Sequence, residues 1–226
     1  MCGRFALTTP ASTIIEIFQV DVLPDILPRY NVPPSTKVLC ILNDSGVKRA
    51  ARLRWGLIPF WAKDKKIGYK MINARSETIA KKPSFRTAFR KRRCLILADG
   101  FYEWKRDGES KIPHLIGMND GAVFAMAGIW ERWTDKETDA GIQSTSIITT
   151  GPNELMNNIH NRMPVILPSA HWGQWLDTSV NDPELLQELL VPYPADQMSA
   201  RRVSSSVGNV KNQSPEVQGP WEGEPQ

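Results

Sequence analysis

Along most of the chain, apolar and polar residues alternate in short runs, and few stretches carry the three-to-four spacing of a long amphipathic helix. Gly3–Leu7 reads as a strand. Thr9 followed by Pro10 signals a helix cap and first turn, with the helix running to about Val20. Asp21–Pro34 carries four prolines and predicts an ordered but irregular loop. Lys37–Leu42 and Val47–Leu57 predict a hairpin around Asn43-Asp44-Ser45-Gly46, and Pro83–Lys91 a basic amphipathic helix. Strands are expected at Cys94–Ala98, Gly100–Arg106, Ile112–Gly117, Ala122–Trp130 and Gln143–Thr149, with a turn at Asp107-Gly108. Pro152–Asn158 suits a short helix and Pro164–Leu167 a strand. Ser169–Leu176 and Pro183–Leu190 suit two more helices. No repeat or linker divides the chain. From Gln213 onward Gly, Pro, Glu and Gln leave little to bury, which sets one domain over 1–213 and a frayed tail over 214–226. The fold class is α+β, a single domain with a mainly antiparallel, barrel-like sheet and short flanking helices.

Composition narrows the class. At 226 residues and 41% hydrophobic, the chain is long and apolar enough for one substantial core, so wholesale disorder is excluded. The longest apolar run, Ala122–Ile129, is interrupted by Gly128 and falls short of the roughly 18 residues a membrane span needs. The opening MCGRFALTTP lacks the basic-then-apolar pattern of a secretory signal. Cys2, Cys40 and Cys94 are too few and too scattered for a disulfide framework or a zinc site. These features suit a soluble, reduced, intracellular protein, and the expectation is a cytoplasmic monomer with no metal, cofactor or membrane partner.

Charge changes the picture. The formal net charge is only +4, but Lys63–Arg93 holds twelve Lys and Arg against Asp64 and Glu77, a local +10 that leaves the remainder at −6. A basic third of a mildly acidic molecule is the footprint of a polyanion binder, although a solvated charged face has the same composition. Trp55 and Trp61 lie beside this stretch and Trp104 shortly after it. Positive charge interleaved with aromatic surface is what stacking on unpaired bases requires. Arg86 and Arg90, on the basic helix, are candidate contacts to a nucleic-acid backbone.

Cys2 carries the most chemistry of any single residue. A small side chain after Met1 permits removal of that methionine, leaving a cysteine with a free amine and a thiol on adjacent carbons. Their ordinary pKa values, roughly 8 and 8.5, leave both with reactive fractions near neutral pH. Such an aminothiol condenses with an aldehyde to an imine and then closes a five-membered thiazolidine ring, which an internal cysteine cannot do. Three further clusters stand out. Asn73-Ala74-Arg75-Ser76-Glu77-Thr78 sets an amide, a guanidinium and a carboxylate in the basic stretch. Gly100-Phe101-Tyr102-Glu103-Trp104 sets a carboxylate among aromatics, where burial would raise its pKa toward a range useful for proton transfer. His160-Asn161-Arg162-Met163-Pro164 brings an imidazole near a guanidinium at a turn. Each also has an ordinary reading: Glu103 as an ion-pair partner, His160 as a helix cap, Asn73 as a turn residue.

Taken in order, MCGRF, NARSET, GFYEW and HNRMPVIL, followed by VGNVKNQ, resemble the SRAP family (SOS response-associated peptidase, the abasic-site-processing domain) over about residues 1–213. The resemblance implies a β-barrel-like core with flanking helices. It also implies a protein that senses abasic sites in single-stranded DNA and bonds to them covalently through Cys2, after autocatalytic loss of Met1. Carried over, Cys2 is the nucleophile and Asn73 places the reactants. Glu103 shuttles protons, and His160 assists at the sugar or adjacent phosphate and in strand nicking. Arg4, Arg75 and Arg162 fit phosphate contacts, which fix register rather than read sequence. Trp61, Trp104 and Pro34 stand where the family's stacking or wedging surface would be.

Two other classes remain open on the residues alone. An N-terminal-nucleophile glutamine amidotransferase would also begin Met-Cys-Gly, its amine serving as base for its own thiol. Against it, the chain has no recognisable Gly-Asp pair for glutamine and no acceptor domain. A non-catalytic single-stranded DNA-binding module would explain the charge and the tryptophans but leave Cys2, Asn73, Glu103 and His160 without roles.

Overall fold

The computed structural model describes residues 2–21, 23–44 and 46–223. The first third comprises β1 (Phe5–Leu7), α1 (Ala11–Phe18), β2 (Arg29–Val32), β3 (Lys37–Asp44), β4 (Val47–Trp55), β5 (Asn73–Arg75) and α2 (Ser76–Ile79). Next come α3 (Arg86–Lys91), β6 (Arg93–Ala98), β7 (Gly100–Asp107), β8 (Ser110–Met118), β9 (Phe124–Thr134) and β10 (Gly141–Thr150). The remainder holds α4 (Glu154–Asn157), β11 (Met163–Pro164), β12 (Ile166–Leu167), α5 (Trp172–Leu176), α6 (Pro183–Glu188) and β13 (Met198–Arg202).

The alternation seen in the sequence closes a barrel. Strands β4, β3, β6, β9 and β10 pair in succession, and β10 returns to β4, so the ring of five has no free edge. Every neighbouring pair is antiparallel except β10 with β4. A second antiparallel sheet, ordered β13-β8-β7-β1-β2, packs against it. Period-2 alternation sends Val38, Cys40 and Leu42 of β3 one way, into a cluster with Leu53, Trp55, Ile96 and Met126 of the barrel and Phe5, Phe101 and Ile116 of the second sheet. Leu39 and Ile41 point the other way, under Ile14 and Phe18 of α1, Phe89 of α3 and Trp175 of α5. Among the described residues no helix is long and apolar enough to cross a membrane.

The expected α+β barrel is the observed fold, and the differences are local. Helix α1 starts at Ala11 with no side-chain cap: Pro10 holds the N-cap position, and the Thr9 hydroxyl donates to Asp99 Oδ2 at 3.2 Å. The last residues of the proline-rich loop form β2, with Val32 opposite Phe5. β5, α2, β13 and a 3-10 turn at Lys65–Lys70 fall where no element is predicted. The strand expected over Pro164–Leu167 breaks at Val165: β11 pairs with β10 and β12 with β9.

Part of the tail expected to fray packs on the domain, and residues 224–226 lie outside the described residues. Gln213 Nε2 donates to Asn31 O at 2.7 Å, and Pro215–Gln218 forms a 3-10 turn. Val217 is 1% exposed, packed with Ala6, Tyr102, Val203 and Val207. One valine and a backbone bond from Ser204 N–H to Gly219 O at 2.9 Å hold this segment on the domain past residue 213.

Candidate active site

Strand pairing assembles the site. Cys2 precedes β1, whose Phe5 lies opposite Phe101 of β7, and Glu103 follows two residues along on the same face. β5 runs parallel to β10 with Asn73 opposite Ile147. Beyond α4, the turn carrying His160 leads into β11, whose Met163 faces Thr150 at the end of β10. Three distant segments therefore converge on residue 2. Cys2 is fully buried, and its carbonyl accepts a hydrogen bond from Asn73 Nδ2 at 2.8 Å. Asn73 Oδ1 is buried with no partner among the described residues, an acceptor held ready beside the cysteine. Glu103, only 4% exposed, sets Oε2 4.0 Å from His160 Nε2. That gap is too long for a hydrogen bond but short enough for strong charge coupling. Glu103, Trp104, Arg106, Lys111, His160 and Gly208 line an open pocket of about 420 Å³.

The electrostatics suit proton transfer. Burial raises the Glu103 carboxyl above the ordinary glutamate range, and the nearby His160 opposes part of that rise. Burial, followed by the Glu103 charge, pushes the Cys2 thiol up as well, so the sulfur keeps its proton at neutral pH and needs a neighbour to take it. His160 Nδ1 accepts the Arg162 backbone N–H at 3.1 Å, so in the neutral ring Nε2 carries the proton, on the side of Glu103. Arg162 is itself clamped: its two terminal nitrogens donate to the two carboxylate oxygens of Glu77, one at 3.1 Å, and one also reaches Thr149 O at 2.6 Å. The guanidinium holds the Glu77 carboxyl below the usual glutamate range.

The other residues expected at the site divide sharply. Arg4 is buried, with Nη1 donating to Asn31 Oδ1 at 2.6 Å and Val207 O at 2.8 Å. Here it braces β1 against the 207 segment. Trp104 is half-buried in the pocket wall. Trp61 is 48% exposed but lines a separate pocket of about 400 Å³ with Lys63, Lys65 and Trp133. Pro34 is half-buried just before Ser35, whose N–H donates to Trp55 O at 2.7 Å. Arg75, Arg86 and Arg90 are exposed, as are ten of the twelve cations of Lys63–Arg93. The other two are structural. Arg92 pairs with Glu131 at 2.7 Å, and Arg93 is buried, donating to the carbonyls of Phe89, Arg90, Trp175, Asp177 and Val180.

Two residues, Thr149 and His114, escape the motif reading, while Glu77 is the carboxylate of the NARSET motif. Glu77 and Thr149 hold Arg162. His114 lies directly opposite Glu103 in the β7–β8 pairing, its pKa lowered chiefly by burial. Counting outward from the Asp107-Gly108 turn would have found it, since hairpin register follows from the turn.

Cys2, held by the Asn73 amide beside a buried carboxylate and an imidazole, thus lies where a small closed barrel meets a second sheet. The chain matches the family model of SOS response associated peptidase (SRAP) over residues 1–210, and it belongs to that family. Its relatives include the abasic site processing protein YoqW of Bacillus subtilis (strain 168), 52% identical over 221 residues that cover 96% of this chain and 98% of that protein. The abasic site processing protein YedK of Escherichia coli (strain K12) is 32% identical, covering 96% and 98%. A crystal structure of a protein from Bacteroides thetaiotaomicron aligns with TM-score 0.85 at 30% identity, covering 97% of this chain and 99% of that one.

Proposed function

We propose that this protein senses abasic sites in single-stranded DNA and traps them covalently through Cys2, acting in the DNA damage response of the cytoplasm. Removal of Met1, which lies outside the described residues, frees the Cys2 amine. The ring-opened deoxyribose of an abasic site presents an aldehyde. The amine adds to its carbon and one water leaves, forming an imine. The sulfur then adds to the same carbon while the thiol proton passes to nitrogen, and the thiazolidine closes with a net loss of one water. The convergence of Asn73, Glu103 and His160 on Cys2 carries this reading, because ring opening, dehydration and closure each need a proton moved at that one carbon.

In this mechanism Asn73 fixes the nucleophile, and its second amide atom meets the amine or a sugar hydroxyl. Glu103, with its raised pKa, delivers a proton to the departing oxygen and takes one back from the amine nitrogen as the imine forms, then relays the thiol proton to the imine nitrogen as the ring closes; the same steps run backward release the DNA. His160 places its Nε2 proton near the sugar. Loss of a C2′ proton from the imine would expel the 3′ phosphate and nick the strand, which is the lyase branch. The names of YoqW and YedK support abasic DNA as the substrate. The test is incubation with a uracil-containing oligonucleotide treated with uracil glycosylase. A heat-stable adduct whose mass equals protein lacking Met1 plus DNA minus one water is expected. Cys2→Ser should bind the strand without a stable adduct. A heat-stable adduct from Cys2→Ser, or an active preparation retaining Met1, overturns the mechanism.

A further inference from the structure

A basic groove lies outside the stretch that dominates the sequence. Arg52 and Arg54, two apart on β4, project from one face, and the register sets Lys37 of β3 directly opposite Arg54. Like charges directly opposite one another destabilise a sheet. Arg29 adds a fourth cation: burial lowers its pKa first, and the Arg52 charge lowers it further. Among the described residues, none of these four forms an ion pair.

Backbone carbonyls fix three of them in place. Arg29 donates to Lys37 O at 2.8 Å, Arg54 to Ser35 O at 3.3 Å, and Arg52 to Asp25 O at 3.5 Å. Arg52, Arg54 and Lys37 then line an open groove of about 450 Å³ completed by Ser35 and Gly141–Gln143. At its rim Tyr69 is 62% exposed, with Arg54 5.4 Å from the ring centroid. Gly56, at φ +123, lets this rim form: a Cβ there would stand 2.6 Å from Gly68 O.

We propose that this groove holds the phosphate backbone of the single strand flanking the lesion, with Tyr69 offering a ring to an unpaired base. The placement fits. β4 and β5 both pair in parallel with β10, Arg54 opposite Ser144 and Asn73 opposite Ile147. Along β10 these two positions are three residues apart, about 10 Å of backbone rise, and the odd offset sends the Arg54 and Asn73 side chains to opposite faces, so a strand reaches both only by passing over the barrel rim. A strand leaving Asn73 crosses the barrel rim past Tyr69 and meets a groove with three cations and no acid in its lining. An uncompensated, preorganised cation cluster beside an exposed aromatic has the chemistry of a single-strand track. The proposal rests on the reading of this protein as a single-stranded DNA binder, and not on the thiazolidine.

The test is fluorescence anisotropy on undamaged oligonucleotides of about 5 and about 15 nucleotides, the span of common single-strand footprints. The parent should gain affinity with length. In the Arg52→Glu, Arg54→Glu double variant that gain should shrink at least tenfold, and the salt dependence should flatten by about 0.7 per lost contact. Arg52→Gln with Arg54→Gln should fall between, with a melting temperature no lower than the parent's, which separates lost binding from misfolding. An unchanged length gain and salt slope overturn the proposal. So does a loss confined to duplex DNA. If the parent forms no abasic adduct yet the length gain still depends on these arginines, the groove stands and the covalent reading falls.

Discussion

Replacing Glu103 with Gln should move stability and activity in opposite directions. Burial holds the Glu103 carboxyl above its unfolded pKa, so the folded protein binds that proton more tightly than the unfolded chain does. Its stabilising effect is complete below the unfolded pKa and drains away as pH rises through the folded one. Gln is neutral at every pH and removes the cost of a buried charge, so it should raise stability near neutral pH. For a chain of this length each kcal/mol gained appears as about 2–4 °C in melting temperature. The advantage should vanish in acid, where the parent carboxyl is also neutral. Gln cannot exchange a proton, so adduct formation should slow by about a hundredfold or more. Release of a preformed adduct, chased with excess abasic competitor, should slow in step. Thermal melts at about pH 5 and about pH 8, alongside single-turnover gels, give both quantities from one preparation. Adduct formation at the parental rate, or a melting temperature lowered equally at both pH values, would refute the assignment of Glu103 as a strained proton carrier.

Other substitutions separate grip from chemistry. Asn73→Ala removes the donor to the Cys2 carbonyl and should cost about 1 kcal/mol in denaturant melts while slowing adduct formation about tenfold; a parental rate would remove Asn73 from the site. Glu77→Gln should change stability by less than about 1 kcal/mol, because the pair with Arg162 is half open to solvent. It should tighten single-strand binding at low salt by freeing a guanidinium for phosphate, and weaker binding in anisotropy would contradict that. Arg93→Met should destabilise the domain by more than about 3 kcal/mol, since five carbonyls lose their donor together; a melt within a degree of the parent's would show they find other partners.

Much of the fold was legible because its barrel strands alternate and its hairpins turn at Asn, Asp and Gly. What was not legible depends on partners far along the chain. β5 is three residues long and exists only because β10 pairs with it, and β13, MSARR, is a polar edge strand laid on β8. Arg29–Val32 hides behind prolines. At the site, the four residues singled out in the motifs, Cys2, Asn73, Glu103 and His160, lie together in the structure. The motifs could not tell a phosphate-seeking arginine from a structural one. Arg4 and Arg93 look like surface cations until residues 82 to 203 positions away supply the acceptors that bury them.

Asn73 grips residue 2 by its carbonyl. Of the polar groups on that cysteine, the carbonyl alone is the same before Met1 leaves, in the free aminothiol and in the closed thiazolidine. In the proposed reaction the nitrogen changes its bonding when Met1 leaves and again on capture, and the sulfur on capture, yet the handle by which the fold holds them does not. On that reading the protein works as a jig whose clamp ignores the state of the workpiece. Maturation, capture and release would then share one alignment, with no stage calling for the barrel to rearrange for the next.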